Sequence, residues 1–355
     1  MSSIVAWIQD RIPVSPGALR ELTNEPVPNH LKKWWFALGG TPAYLFVVQI
    51  ATGILLAVYY ESSTFTAYES VRRITEEVSY GWYLRGLHKW GATLMIAAVI
   101  LHQMRVYFTG AYRKPREINW MVGMTILICT LMLGFTGYSL VYEQLSYWGA
   151  TVAANITGSI PVVGDFMRTM LLGADTYSRQ TLPRFFILHA AVLPVALIFL
   201  LVVHIGIIRL QGVTEFQFEG EEDAEEAQEE NKKHFNFFPD HMYTELIIGL
   251  FLMIVLSVLA TVYPATVGPK ANPLVTPDVI KPEWFFYVTF RWLKLFSGTF
   301  AIVSMGFIVF TMFGWPFIDD WVRRKTRYTE ASVWIGIFAV LAIIGLTVWE
   351  ALVEH

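Results

Sequence analysis

The chain has 355 residues, of which 55% are hydrophobic and only 15% are charged, and its formal net charge is −3. Soluble domains carry about 25% charged residues, so this composition excludes an ordinary soluble globular protein. It indicates an integral membrane protein.

Seven apolar segments follow one another along the chain. Each is close to the ~20 residues that cross a bilayer as a helix. They predict an all-α polytopic membrane protein with four spans in an N-terminal half and three in a C-terminal half. The predicted spans cover approximately residues 34–60, 87–108, 119–142, 185–210, 243–263, 299–318 and 332–353.

An acidic stretch separates the two halves, since eight of the twelve residues from Glu219 to Glu230 are Glu or Asp. A packed element would not bury this charge, so it predicts a solvated linker. The predicted division is a four-helix domain at 1–213, a linker at 214–239 and a three-helix domain at 240–355. Basic residues concentrate in the loops on the side of the N-terminus, which favours a cytoplasmic N-terminus and an outer C-terminus.

Four histidines form two pairs on the second and fourth spans. His88 and His102 are 14 residues apart, and His189 and His204 are 15 apart. Each interval returns nearly to the same face of a helix, about 21 to 23 Å along its axis. A lone histidine would favour a helix-interface hydrogen bond, but four in register predict two haems, each with two axial histidines.

Glycines recur at the same interval. Gly39 and Gly53 on the first span, and Gly123 and Gly137 on the third, are each 14 residues apart. Glycine permits the close backbone approach that a flat haem needs, whereas ordinary small-residue packing would explain only one such pair. The single Cys129 and the absence of a CxxCH sequence predict haem that is held non-covalently.

Haem propionates need cations, and arginine binds carboxylates through two parallel hydrogen bonds. Basic residues near each histidine level are therefore candidate propionate partners. For Lys89 and Arg209 taken singly, snorkelling to the membrane interface is an equal alternative. The candidates are Arg85, Lys89, Arg105, Arg184 and Arg209.

Two long outer loops keep apolar content, which is typical of functional loops. The first, residues 143–184, predicts short surface helices. The second, residues 264–298, contains Pro282-Glu283-Trp284-Phe285. A carboxylate beside aromatic rings near the membrane surface suits a quinol pocket, in which Glu283 would accept a hydroxyl proton. A surface helix with Glu in its first turn is the alternative interpretation.

Together these features resemble cytochrome b of the bc1 and b6f complexes over nearly the whole chain. The 15-residue interval and the seven spans are similar to the b6f lineage, as if its haem subunit were fused to its three-helix partner subunit. The matching motifs are Leu38-Gly39-Gly40, Gln49-Ile50-Ala51-Thr52-Gly53, His88-Lys89-Trp90, Leu101-His102 with Arg105, Lys114-Pro115-Arg116-Glu117, Gly137-Tyr138-Ser139-Leu140, Arg184-Phe185 with His189, and Pro282-Glu283-Trp284.

The resemblance implies a proton-translocating quinol–cytochrome c oxidoreductase. Quinol would be oxidised at an outer site formed by residues 143–165 and the Pro282–Phe285 segment. One electron would pass to a Rieske iron–sulfur protein and a c-type cytochrome, and the other would cross two b haems to an inner quinone site. The outer haem would be held by His88 and His189, and the inner haem by His102 and His204.

The resemblance further implies a homodimeric complex with bound lipid in a bacterial cytoplasmic membrane, with no nucleic-acid partner. Ala37 stands where plastid-type relatives carry a cysteine, so we expect no additional covalent haem. Tyr142 and Glu143 replace the Trp and Asp that the family often has in the outer pocket. Phe285 replaces a usual tyrosine, and Lys89 a common arginine.

Two other functions stay open at this point. A di-haem membrane anchor of another reductase or dehydrogenase would share the histidine pairs, but it would not need the three-helix half or Pro282-Glu283-Trp284. A non-redox transporter would place charged residues within its spans, and these spans carry few.

Overall fold

The structure is a computed structural model that describes residues 26–28, 38–211, 234–236, 239, 241–326 and 330–353. Within these residues, six helices are long and apolar enough to cross a membrane, and a bent helix pair gives a seventh if it counts as one span. This confirms the predicted all-α polytopic fold.

The N-terminal half contains four membrane-spanning helices, and the short helices expected in the 143–184 loop are α5 and α6. Its second span begins at Gly81 rather than at residue 87. The elements are β1 (Pro26–Pro28), α1 (Gly40–Ala57), α2 (Ala67–Glu76), α3 (Gly81–Phe108), α4 (Glu117–Ser139), α5 (Gln144–Gly158), α6 (Gly164–Leu172), α7 (Thr181–Ile187), a π-helical turn (Leu188–Val192) and α8 (Leu193–Gln211).

A strand in the last part of the predicted linker pairs antiparallel with β1. The C-terminal half follows it. Its helices include a 3-10 turn that directly follows Glu283. The elements are β2 (His234–Asn236), α9 (Met242–Val262), the 3-10 turn (Trp284–Phe286), α10 (Tyr287–Leu295), α11 (Gly298–Phe313), α12 (Trp315–Thr326) and α13 (Ala331–Leu352).

The two halves share one apolar core. In the first half α1 packs on α3 and α4 packs on α8, and α9 of the second half lies along α3. Gly86 makes this approach possible, because a Cβ there would lie 2.8 Å from the Cβ of Ala260 on α9. The buried core residues are Leu45, Phe46, Leu87, Met95, Ala98, Ile126, Leu197, Leu256 and Ala260.

The fourth span is a helix with one π-helical turn, Leu188–Val192, which contains His189. Pro194 follows this turn and has no amide hydrogen for the carbonyl four residues earlier, which favours the wider turn. A π turn absorbs one additional residue. The 15-residue interval from His189 to His204 therefore aligns like the 14-residue interval of the second span.

The predicted span at 299–318 is bent in the structure, because α11 ends at Phe313 and α12 leaves at an angle of 71°. Pro316 has no amide hydrogen for the carbonyl of Met312, so a continuous helix is interrupted there. The indole nitrogen of Trp120 on α4 donates to the Met312 carbonyl at 2.7 Å instead. The bend is thus stabilised by the first half of the chain.

Part of the predicted linker lies outside the described residues, namely 214–233 and 237–238. Its last part forms β2, in which Phe235 is the partner of Val27 in β1. The division into two domains and the orientation of the termini stay predictions. Ala37, the position of the expected missing cysteine, also lies outside the described residues.

A buried ion pair joins the α3–α4 loop to the bend after α11. Arg113 Nε donates to Asp319 Oδ2 on α12 at 2.9 Å, and the Asp319 side chain is 2% exposed. Arg113 Nη2 also donates to the hydroxyl of Ser332 on α13 at 3.2 Å. The Tyr107 hydroxyl donates to the Ser332 carbonyl at 2.8 Å. These bonds hold α12 and α13 against α3.

We expect Asp319→Asn to lower the free energy of unfolding by about 2 kcal/mol. Breaking a fully buried pair costs about 3–5 kcal/mol, and Arg113 is 36% exposed, so solvent reduces the loss. The thermal unfolding midpoint of the purified protein in detergent measures it. The matched control is Asp320→Asn, whose partner Arg324 is exposed. Equal losses of stability in Asp319→Asn and Asp320→Asn would contradict the stabilising role of the Arg113–Asp319 ion pair.

Candidate functional site: two imidazole pairs and an outer carboxylate

The two histidine pairs face each other across the four-helix bundle at two levels. The ring centres of His88 and His189 are 6.1 Å apart, and those of His102 and His204 are 6.5 Å apart. A metal–imidazole bond is about 2.0 Å long and the ring centre lies roughly 1.2 Å further on, which gives about 6.4 Å across one metal ion. Both gaps fit a haem iron with two axial histidines.

Each outer histidine lies against a glycine of the neighbouring helix. A Cβ added at Gly53 on α1 would lie 3.2 Å from Cε1 of His88, and one at Gly137 on α4 would lie 2.6 Å from Cε1 of His189. The second distance is too short for any side chain, and the first is tighter than most Cβ contacts. The close approach of ring and backbone therefore requires glycine at Gly137 and favours it at Gly53.

The inner level repeats this arrangement with more room. A Cβ added at Gly39 would lie 3.6 Å from Cε1 of His102, and one at Gly123 would lie 3.6 Å from Cε1 of His204. The equal intervals of histidines and glycines thus place one glycine against each imidazole. The structure therefore brings together the four histidines and the four glycines that the sequence predicts for haem binding from their matched intervals.

Threonines beside the outer glycines define which nitrogen of each imidazole carries the proton. Thr52 Oγ1 donates to the Val48 carbonyl at 2.7 Å, so at 2.9 Å it accepts from Nδ1 of His88. The sequence reasoning missed this contact. A proton on Nδ1 leaves the lone pair of Nε2 free for a metal.

The same arrangement occurs on the other side of the outer level. Nδ1 of His189 donates to the Leu133 carbonyl at 3.1 Å, and Thr136 Oγ1 is 3.2 Å away. Thr136 precedes Gly137 just as Thr52 precedes Gly53 in the sequence. This repeated Thr-Gly pair is the sequence signal from which the contacts between threonine and histidine could have been predicted. At the inner level Leu38 and Val122, which have no hydroxyl, precede the glycines.

The predicted propionate cations are placed differently from one another. Arg85 Nη1 donates to the Ala265 carbonyl at 2.6 Å and to the Thr75 hydroxyl at 2.8 Å, and its Nη2 donates to the Thr266 carbonyl at 2.9 Å. This guanidinium therefore holds the loop after α9. Arg184 Nη1 is 3.4 Å from a backbone carbonyl in α6. Propionate binding by these two residues, and by Lys89, Arg105 and Arg209, stays a prediction.

The Pro282–Phe285 segment inserts its aromatic residues beside the outer level. A Cβ added at Gly134 on α4 would lie 3.1 Å from Cζ of Phe285 and 3.0 Å from Cδ1 of Ile96 on α3. Gly134 is one helical turn before Gly137, which contacts His189. The ring centre of Phe285 lies 4.7 Å from that of Phe286, and the two ring planes are tilted by 57°. Phe285 thus lies against Gly134 of α4, one helical turn from Gly137.

Glu283 is half-buried at the start of this 3-10 turn. Burial raises the pKa of Glu283 above its ordinary value, Lys89 lowers it in part, and Glu143 raises it. A carboxyl group with a raised pKa can accept and release a proton closer to neutral pH. The structure therefore brings three sequence-predicted residues from three elements into one electrostatic environment.

Glu143 and Tyr142 also hold the two halves together on the outer side. The Glu143 carboxylate accepts from the Gly268 amide at 2.7 Å, and the Gln144 amide donates to the Pro269 carbonyl at 2.8 Å. Tyr142 is 8% exposed and packs against Tyr147. Tyr142 therefore contributes to the frame of the outer loops, and its contact with a quinol stays a prediction.

One further ionisable residue lies in a span and was missed from the sequence. Glu245 is on α9, and a Cβ added at Gly40 would collide with its carboxylate. His241 Nε2 is 3.7 Å from Glu245 Oε1. Gly40 is adjacent to Gly39, which contacts His102, so this carboxylate lies at the inner level. An acidic residue in an apolar span is itself a functional signal.

This fold and these facing imidazoles are typical of membrane cytochromes that hold haem between helices. A family model described as Cytochrome b/b6/petB matches residues 22–212, and one described as Cytochrome b(C-terminal)/b6/petD matches residues 270–354. The chain belongs to the cytochrome b family of bc- and b6f-type complexes. The predicted resemblance is confirmed, and with it haem binding and electron transport in a membrane.

Some relatives align with the first half of the chain, and others align with nearly all of it. The chain is 33% identical over 352 residues to the cytochrome b subunit of a cytochrome bc complex from Chlorobaculum thiosulfatiphilum, covering 98% of this chain and 79% of that protein. It is 43% identical over 209 residues to cytochrome b6 of Heliobacterium mobile, covering 59% of this chain and 98% of that protein. A chain of a hyperthermophilic respiratory Complex III superposes with a TM-score of 0.83 at 25% identity, covering 99% of this chain and 92% of that chain.

We expect Gly137→Val to abolish haem binding at the outer level and to leave the inner level intact. The new side chain would occupy the space of the His189 ring, which cannot move without losing its position in the bundle. Haem content and the reduced-minus-oxidised b-haem spectrum of the purified protein measure this. Gly206→Val is the matched control, because nothing lies within 4 Å of a Cβ at that position. Two haems retained in Gly137→Val would contradict the assignment.

Proposed function

We propose that this chain oxidises quinol at its outer side and reduces quinone at its inner side, as the cytochrome b subunit of a proton-translocating quinol–cytochrome c oxidoreductase. One electron passes to a Rieske iron–sulfur protein and onward to a c-type cytochrome, and the other crosses the membrane by way of two b haems. The observation that carries the proposal is the stacked pair of 6.1 and 6.5 Å imidazole gaps, together with Glu283, whose pKa is lowered in part by Lys89, the residue after His88.

The chain's own residues would hold two haems without a covalent bond. His88 and His189 would hold the outer haem through their imidazole nitrogens, and Thr52 and Thr136 contact Nδ1 of these rings and so orient them. His102 and His204 provide the inner level. Haem bound at these levels supplies one-electron carriers at two depths of the membrane.

At the outer side Glu283 would accept a proton from a quinol hydroxyl. Its raised pKa follows from burial, and Lys89 keeps the ionised form accessible. The aromatic rings of Trp284 and Phe285, whose centres are 5.7 Å apart in an edge-to-face arrangement, would shield the quinol ring from water. Quinol ring burial and proton acceptance would thus occur in one segment.

At the inner side Glu245 and His241 would deliver protons to quinone. They lie 3.7 Å apart, beside Gly40 and the inner histidine level. A half-buried carboxylate next to an imidazole is suited to passing protons. Protons would be released on one side and taken up on the other.

The proposal includes a complex, because the relatives are named as parts of complexes. We propose a Rieske protein and a c-type cytochrome as partners, with lipid, in a homodimeric assembly. The membrane would be a bacterial cytoplasmic membrane, with the N-terminus in the cytoplasm and the C-terminus outside. Copurification of a Rieske protein with the tagged chain tests this assembly.

We expect Glu283→Gln to lower quinol oxidation by roughly 10²-fold, the lower end of what positioned acid–base groups contribute. The base must be ionised, so the wild-type rate should fall as pH decreases through the pKa of Glu283. Lys89→Met removes the cation that lowers this pKa, so the acid limb of the rate profile should move to higher pH. Steady-state quinol–cytochrome c reduction by the purified complex measures both effects.

Lys270→Met is the control for the loss of one outer cation, because Lys270 pairs with the exposed Glu69. Its pH profile should match that of the wild type. Quinol oxidation that is unaffected in Glu283→Gln would show that Glu283 is not the proton acceptor, whereas a purified complex without quinol oxidation would favour a di-haem anchor that uses another substrate.

A further inference from the structure

The outer end of α13 carries a carboxylate that is fully buried. The Glu350 side chain is 0% exposed and lies 3.5 Å from Nη1 of Arg291 and 3.3 Å from Nζ of Lys294. Both cations are on α10, the helix that directly follows the Pro282–Phe285 segment. A buried carboxylate shared by two cations is costly to disrupt, because removal of one partner leaves unpaired buried charge.

The guanidinium of Arg291 is held from two sides. Its side chain is 11% exposed, and its Cζ lies 3.9 Å from the ring centre of Trp349, the residue before Glu350. An arginine stacked on an indole and bonded to a carboxylate has little freedom to rotate. The contact therefore fixes the rotation of α10 relative to α13.

A third cation holds the other end of the same segment. Lys281 Nζ donates to the carbonyls of Ala351 at 3.3 Å and Val353 at 3.2 Å, where α13 ends. A cation at a helix C-terminus satisfies unpaired carbonyls and the helix dipole. Lys281 immediately precedes Pro282, whose ring limits backbone rotation at that point.

The Pro282–Phe285 segment is thus attached to α13 on both of its sides, by Lys281 before it and by Arg291 and Lys294 after it. We propose that Glu350 is a positioning residue for the outer quinol site, acting through α10 to set the place of Glu283. This inference rests on the proposed quinol oxidation. Glu350 does not need to contact the quinol for this role.

The experiment compares Glu350→Gln with wild type in the purified complex. We expect the KM for quinol to rise about tenfold with a smaller change in kcat, because a displaced pocket loses binding before it loses proton acceptance. Haem content and the redox titration of both b haems should match wild type, which a general loss of folding would not allow. Glu330→Gln, at the inner, exposed end of the same helix, is the matched control.

Lys281→Met tests the same attachment without leaving a buried charge unpaired. We expect a rise in KM in the same direction, and the double variant should lose less than the product of the single effects. An unchanged KM in Glu350→Gln would overturn the proposal. If Glu350→Gln fails to accumulate, an unchanged KM in Lys281→Met would overturn it. A wild-type complex with no quinol oxidation would instead refute the proposed function.

Discussion

The close approach between four imidazole rings and four glycine backbones is the constraint on which the bundle depends. A Cβ added at these glycines would lie 2.6 and 3.2 Å from the nearest ring atom at the outer level and 3.6 Å from it at the inner level. The tight outer level therefore favours glycine at matched depths on α1 and α4, opposite the histidines of α3 and the fourth span. The π turn at His189 and the Thr-Gly pairs at the outer level follow from this requirement. The π turn brings the 15-residue interval into register with the 14-residue interval, and the threonines fix the orientation of the outer imidazole rings.

The second half of the chain completes the site at both surfaces. Its outer loop brings Phe285 against Gly134 of α4 and brings Glu283 close enough to Lys89 for its pKa to be affected, and its first helix brings Glu245 to the inner level. Polar bonds at the surfaces hold the halves together, with Arg85 and Glu143 on the outer side and the Arg113–Asp319 pair on the inner side. Because the charged residues that orient the site lie near the ends of the spans, the middle of each span can remain apolar.

The sequence predicted the class of fold, the spans and the four histidines with their glycines, because a flat cofactor between helices imposes one interval on all of them. It did not predict the bend after Phe313, since the interruption depends on Trp120 of a distant helix taking the Met312 carbonyl. It also did not predict the bonds that Arg85 makes to the carbonyls of Ala265 and Thr266, which lie 180 and 181 residues away in the chain. Such long-range partners leave no periodic signal. Glu245 did leave one, as an acidic residue in an apolar span.

The central claim is that each of the two imidazole gaps holds one haem. The most direct test is chemical quantification of haem per purified chain, combined with electron paramagnetic resonance of the oxidised protein. The structure predicts two non-covalent b haems per chain, both low-spin with two histidine ligands. One haem per chain, a high-spin signal, or haem that resists acid–acetone extraction would contradict it.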